Sequence, residues 1–115
     1  PSPRKKPPSP PRSSVRTVIW ALPLATTSLN TTCGQTVRFQ KLAGSHSVVE
    51  VGSDSCSATT VATIAAATSA AFTRDVAMTR NGTRVFVCKV GNHCAQRGMK
   101  LVVRTSGCPA AATSG

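Results

Sequence analysis

From residue 83 to residue 104 the sequence reads TRVFVCKVGNHCAQRGMKLVVR, and this stretch decides the fold. Its two ends are rich in β-branched residues, which favour strands, and the glycine-containing segment between them is typical of a loop. Side chains alternate across a strand, so Phe86 and Cys88 should share one face while Val85 and Val87 share the other. We therefore expect Cys88 to point inward at the end of its strand, with its thiol shielded from solvent.

Similar runs recur along the chain, separated by Gly, Asn or Ser. Together with the two ends of that stretch they cover residues 17–22, 35–40, 47–51, 75–79, 83–89 and 99–104. Short strands at this spacing predict an all-β sandwich or barrel. For the alanine-rich residues 58–72 the pattern does not decide between a helical turn and an irregular strand. Asn81-Gly82 predicts a tight β-hairpin between two of the strands, because these residues tolerate positive φ angles.

Length and composition indicate one small domain with two extensions. A chain of 115 residues has room for a single core. Only 3% of the residues are aromatic, so this core depends on smaller aliphatic side chains and benefits from covalent staples. We place the domain at residues 15–108, a basic Pro-rich arm at 1–14 and a tail at 109–115. The arm, PSPRKKPPSPPRSS, should be extended and has the composition of hydroxyproline-rich wall proteins, although a plain linker fits equally well.

The charge of the chain is strongly positive. It has 14 Lys and Arg against 3 Asp and Glu, a formal net charge of +11. Such a chain attracts acidic partners, either an acidic redox protein or an acidic extracellular polysaccharide. The few aromatic residues are not interleaved with basic runs, which argues against nucleic acid as the partner. The most apolar run, residues 18–25, is interrupted by Pro23 and is too short for a transmembrane segment.

Cysteine content points to the secretory route. The chain has 5 cysteines, many for its length, and disulfides persist in oxidising compartments. The odd number leaves one thiol for another role. Asn30 and Asn81 each begin an N-glycosylation motif. We therefore expect a secreted glycoprotein of the extracellular space, the cell wall or the cell surface.

The loop within the opening stretch combines three metal-binding side chains. Cys88 provides a thiolate, His93 an imidazole and Met99 a thioether, and His46 is the only other histidine of the chain. Two histidines and a cysteine with a weak axial methionine form the ligand set of blue copper sites. Residues of these types therefore predict a site for one copper ion.

A resemblance to a known protein family supports the same prediction of a copper site. The segments GSHSVVEV (44–51), DVAMTRNGTRVFVC (75–88), GNHC (91–94) and GMKL (98–101), with Cys56 between the first two, resemble the pattern of phytocyanins, blue copper proteins of the cupredoxin superfamily. The resemblance implies a cupredoxin Greek-key β-sandwich of about seven to eight strands. It also implies the copper ligands His46, Cys88, His93 and Met99.

The same resemblance implies a disulfide between Cys56 and Cys94. Cys33 and Cys108 then remain, and the sandwich topology favours their pairing at the end opposite the metal. The sequence departs from the family pattern in having five residues between His93 and Met99, one more than usual, and in lacking a proline before His93.

The resemblance implies a one-electron carrier and no enzyme, because four protein ligands leave no position open for a substrate. Ser47, beside the first ligand, is a candidate to support the thiolate by hydrogen bonding. A competing interpretation is a structural matrix or cell-surface glycoprotein in which the copper site is vestigial. Self-assembly through the Pro-rich arm suits that interpretation.

Overall fold

The structure is a computed structural model that describes residues 15–109, and these form a β-sandwich of two sheets. The strands are β1 (Val15–Ile19), β2 (Ser28–Thr32), β3 (Thr36–Lys41), β4 (His46–Val51), β5 (Thr60–Thr68), β6 (Phe72–Ala77), β7 (Gly82–Val87) and β8 (Lys100–Ser106). The smaller sheet has the order β1-β3-β6 and the larger one β2-β8-β7-β4-β5. The all-β prediction is confirmed. The predicted arm at 1–14 and residues 110–115 of the predicted tail lie outside the described residues.

Strand direction brings two distant parts of the chain together. β4 runs antiparallel to β7, with Val49 opposite Val87. The start of one strand therefore lies beside the end of the other. His46, which begins β4, and Cys88, which follows β7, thus lie at the same end of the strands of the larger sheet. Within residues 15–109 no helix has the length and apolarity needed to cross a membrane.

Three aromatic rings fill the centre of the space between the sheets. Trp20 and Phe39 pack edge to face with centroids 5.2 Å apart, and Phe39 lies 5.1 Å from Phe86. Cys88 and Met99 belong to the same buried cluster. The aromatic residues are few, but these three are fully buried and belong to the cluster that contains Cys88 and Met99.

The opposite face of the larger sheet carries a second apolar cluster. It contains Val85 and Val87 with Cys94, and Cys56 packs against it. Phe86 and Cys88 lie in the inner cluster, so the predicted alternation along this strand is confirmed. The second half of β7 is thus buried on both faces, which suits a central strand that must hold the position of Cys88.

One strand was not predicted, and another lies in a segment for which a helical turn and an irregular strand were both considered. The alanine-rich segment contains no helical turn; Thr60–Thr68 is the longest strand of the described residues and pairs with β4 at the edge of the sheet. Ser28–Thr32 pairs with β8 in parallel. Both segments lack the apolar alternation that identifies a strand in sequence, and pairing with a neighbour fixes them instead.

The predicted hairpin at Asn81-Gly82 is wrong. β6, before this turn, pairs with β3 in the smaller sheet, whereas β7, after it, belongs to the larger sheet. Only Gly82 has a positive φ, of 121°, and a tight hairpin turn would need one at Asn81 as well. The Asn81 side chain instead bonds the backbone of Cys108 twice, through Nδ2 to the carbonyl oxygen at 3.2 Å and through Oδ1 to the N–H at 2.9 Å.

Candidate metal centre

His46, Cys88 and His93 bring one donor atom each to within 4.8 Å of one another. The Nδ1 atoms of the two histidines are 3.2 Å apart. The Cys88 sulfur lies 3.4 Å from Nδ1 of His93 and 3.9 Å from Nδ1 of His46. Three donors from two distant stretches of the chain therefore converge on one small volume.

Local backbone geometry holds His46 in this position. The residue is 5% exposed and follows a turn that contains Gly44. Gly44 has a φ of 83°, and a Cβ atom at this position would lie 2.7 Å from Nε2 of His46. Glycine is therefore required at residue 44 by both the backbone angle and the closeness of the imidazole.

Ser47 supports the thiol of Cys88. Its backbone N–H donates to the Cys88 sulfur at 3.4 Å, and its hydroxyl lies 4.0 Å from the same atom. The hydroxyl also accepts a hydrogen bond of 2.9 Å from the N–H of Lys89. The Ser47 carbonyl oxygen accepts a 2.9 Å hydrogen bond from the indole N–H of Trp20. The backbone beside the sulfur is therefore fixed from both sides.

The backbone of Met99 is hydrogen-bonded to two of the predicted ligands, His93 and Cys88. Its N–H donates to the carbonyl oxygen of His93 at 2.9 Å, and its carbonyl oxygen accepts from the N–H of Cys88 at 3.2 Å. Its side chain is fully buried in the cluster that contains Cys88. The longer spacing from His93 is absorbed by a turn in which Gln96 and Arg97 both donate to the carbonyl oxygen of Asn92.

Burial controls the protonation of the first histidine. Burial lowers the pKa of His46 below its ordinary value, and the positive charges of His93 and Lys41 lower it further. The neutral imidazole is the form that binds a metal. This environment therefore favours the metal-binding form of His46 at neutral pH.

Two disulfides frame the site and leave its cysteine free. Cys56 pairs with Cys94, the neighbour of His93, and Cys33 pairs with Cys108 at the far end of β8. Among the described residues the free cysteine is Cys88, which is 1% exposed. These are the pairings that the family resemblance and the topology imply, and they keep the thiol available for a metal.

The donor set defines the metals that the site suits. Imidazole nitrogen and thiolate sulfur bind copper and zinc, whereas calcium and magnesium require oxygen ligands. The three acids of the chain, Glu50, Asp54 and Asp75, are each paired with a basic side chain. The site is therefore one for a soft or borderline ion.

Sequence reasoning missed three residues that shape this site. Gly44 and Trp20 position His46 and Ser47 as described above. Lys41 is fully buried at the end of β3. The alternation of Val37 and Phe39 on the inner face would have placed Lys41 there as well, but the strand was expected to end one residue earlier.

Comparison with known proteins agrees with this geometry. The sequence pattern of the plastocyanin-like domain matches residues 19–99, which include all four predicted ligands. No curated protein sequence matches the chain. Among solved structures, spinach plantacyanin superposes with a TM-score of 0.59 at 22% identity, over 80% of this chain and 99% of that one.

Two other solved structures give similar values. A Cu(I) form of an amicyanin mutant has a TM-score of 0.59 at 18% identity, over 82% of this chain and 84% of its own. Reduced auracyanin from the photosynthetic bacterium Roseiflexus castenholzii has a TM-score of 0.52 at 20% identity, over 80% of this chain and 93% of its own. At these identities the structures show a shared fold. From the sequence match and the shared β-sandwich together, the chain belongs to the family of plastocyanin-like, or cupredoxin, domains.

Proposed function

We propose that this protein is a secreted blue copper protein that carries single electrons. The observation that supports the proposal most strongly is the convergence of two imidazole nitrogens and one free, buried thiol within 4.8 Å. His46, Cys88 and His93 would hold one copper ion, with the thioether of Met99 as a weak axial ligand. A trigonal set of this kind suits copper better than zinc, which favours a tetrahedral arrangement.

The residues around the site suit electron transfer. Copper, when bound, supplies a one-electron couple in which Cu(II) takes one electron from a reduced donor protein and becomes Cu(I), with no atom transferred. His46 and Cys88 are buried, whereas His93 is half-buried and so is the ligand nearest to solvent. An electron would enter and leave on the side of His93, while the buried sulfur stays protected from oxidation.

The state of the acidic residues argues against an enzyme. Asp75 is bonded to Arg38, Glu50 to Arg84 and Asp54 to Lys100. These are all the acidic side chains of the chain, so no free carboxylate serves as a general acid or base. With four protein ligands on the metal, no coordination position would remain for a substrate.

Charge and disulfides support the proposed partners and location. A net charge of +11 favours an acidic redox protein, whose approach would be accelerated by attraction and slowed by salt. Two disulfides favour an oxidising, extracellular compartment. Asn30 is exposed on β2 and is the better glycan acceptor, because the Asn81 amide is already bonded to Cys108.

Metal analysis of the natively purified protein tests the proposal. We expect one copper per chain, reversible one-electron redox behaviour and an intense visible band from thiolate-to-copper charge transfer. Cys88→Ser should remove this band while the two disulfides and the fold remain. A colourless, copper-free protein bound to a wall or fibre fraction would contradict the proposal and favour the structural glycoprotein.

A further inference from the structure

Lys41 is a buried cation beside the candidate metal centre. Its side chain is 0% exposed, and it follows Val37 and Phe39 on the inner face of β3. Its Nζ atom donates to the carbonyl oxygen of Ala70 at 2.8 Å and lies 5.5 Å from the centre of the Phe72 ring. An apolar side chain would be the ordinary occupant of this position.

No carboxylate balances this charge. The chain has 3 acidic residues, and the described structure pairs each of them with another basic side chain. Within residues 15–109, Lys41 therefore has the dipole of one carbonyl group and the face of one ring as its compensation. A buried charge without a counter-ion costs several kcal/mol, so packing alone does not explain its presence.

The strands place Lys41 close to His46. Lys41 ends β3 and pairs with Phe72 at the start of β6, while His46 begins β4 and pairs with Thr68 at the end of β5. One turn, residues 69–71, connects these two partners, and Lys41 is bonded to it. The cation and the ligand therefore share one corner of the sandwich.

We propose that Lys41 tunes the metal centre by making a divalent ion less favourable there than a monovalent one. The inference rests on the proposed copper site. In a region of low dielectric constant, a fixed positive charge repels Cu(II) more strongly than Cu(I), because Cu(II) carries one more positive charge. Lys41 thus favours the reduced form and raises the reduction potential of the Cu(II)/Cu(I) couple, in which one electron is taken from an external donor.

A matched pair of substitutions tests this role. Lys41→Met removes the buried charge and keeps an unbranched side chain of similar size, whereas Arg74→Met removes an exposed charge that lies 5.3 Å from the centre of the same Phe72 ring. We expect Lys41→Met to lower the reduction potential by about 59 mV, which corresponds to about a tenfold change in the ratio of Cu(II) to Cu(I) affinity. Arg74→Met should leave the potential unchanged, and Lys41→Arg should preserve it.

A second measurement uses no copper. In the metal-free protein, Lys41→Met should strengthen binding of Co²⁺ by about tenfold more than binding of Ag⁺, because the divalent ion gains more from removal of the charge. Lys41→Gln, which keeps a donor for the Ala70 carbonyl oxygen, should act in the same direction. Both neutral variants should also unfold at a higher temperature than the unsubstituted protein.

The outcomes separate this inference from the function on which it rests. A visible copper band with the same reduction potential in Lys41→Met, Lys41→Gln and the unsubstituted protein would overturn the role of Lys41 and leave the blue copper site standing. Absence of that band in the unsubstituted protein would overturn the proposed function. The comparison of Co²⁺ with Ag⁺ would then decide the inference by itself, and equal effects on the two ions would overturn it.

Discussion

The backbone N–H of Ser47 donates a hydrogen bond to the sulfur of Cys88 over 3.4 Å, although 41 residues separate the two in sequence. This bond joins the second residue of β4 to the residue that follows β7. It fixes the sulfur against the strand that carries His46. The strand pairing of the larger sheet therefore prepares the sulfur for a metal.

Replacement of Ser47 by alanine should separate the two contributions of this residue. Ser47→Ala keeps the backbone donor to Cys88 but removes the hydroxyl that accepts from the N–H of Lys89. We expect the visible copper band to persist and the free energy of unfolding to fall by about 1 kcal/mol. Chemical denaturation measures the second effect. Loss of the band would show that the hydroxyl, and not the backbone, holds the sulfur.

Gly44→Ala should weaken metal binding through His46. The new methyl group would lie 2.7 Å from Nε2, so the imidazole must turn away from its position. A distorted rotamer of this kind costs about 1 kcal/mol or slightly more, equivalent to about tenfold in affinity. Gly107→Ala is the matched control, since its φ of 87° is close to the 83° of Gly44 and nothing lies within 4 Å of its added Cβ.

Titration of the metal-free variants with Co²⁺ distinguishes the two substitutions. Both should lose stability, because alanine is strained at positive φ. Only Gly44→Ala should lose affinity for the metal. Equal affinities in the two variants would show that the ring is free to move without consequence.

The two disulfides should have different effects when removed. Replacing Cys33 and Cys108 by serine opens the larger loop, with a sequence separation of 75 against 38 for the other bridge. This variant should lose more stability, within the range of about 2 to 5 kcal/mol typical of such bridges. Replacing Cys56 and Cys94 should lower copper affinity more, because Cys94 adjoins His93. Thermal unfolding and copper titration of both variants measure the contrast, and the reverse order would contradict it.

Acid should remove the contribution of Glu50. The hydrogen bonds from Arg84, more than the nearby positive charges, hold the pKa of Glu50 below its ordinary value of 4.5 although burial acts in the opposite direction. Because the folded state lowers this pKa, the stabilisation is present above pH 4.5 and is lost as the pH falls through the folded value.

Glu50→Gln tests this dependence. The variant leaves Arg84, whose side chain is only 12% exposed, without the counter-charge of Glu50, so at pH 7 it should lose about 3 kcal/mol of stability. The difference from the unsubstituted protein should shrink in acid. Asp75→Asn is the control, since the Asp75 pair with Arg38 has the same two-point geometry but is exposed to solvent. It should lose much less, and equal losses would contradict the importance of burial.

The chemistry of the site was more predictable than its surroundings. Histidine is rare in this chain, so the residue types alone limit the candidate imidazole ligands to His46 and His93. The family resemblance then identifies Cys88 among the 5 cysteines as the sulfur ligand. Alternation along β7 predicts the inward direction of Cys88 without any tertiary information. These properties depend on residue identity and local geometry, which the sequence contains directly.

Features that depend on distant partners were not predictable in this way. Asn81-Gly82 has the local signature of a hairpin, but the strands on either side pair with β3 in one sheet and with β4 and β8 in the other. Lysine is usually a surface residue, but Lys41 is buried because β6 and its preceding turn cover it. Pairing between remote strands decides both cases.

The separation of His46 and Cys88 by 42 residues has a consequence for folding. An unfolded chain would rarely bring these donors together, so tight metal binding presupposes that β4 and β7 have paired. An ion in the site would then stabilise the native state relative to the unfolded chain. The rise in melting temperature with metal concentration would report how completely the larger sheet has assembled.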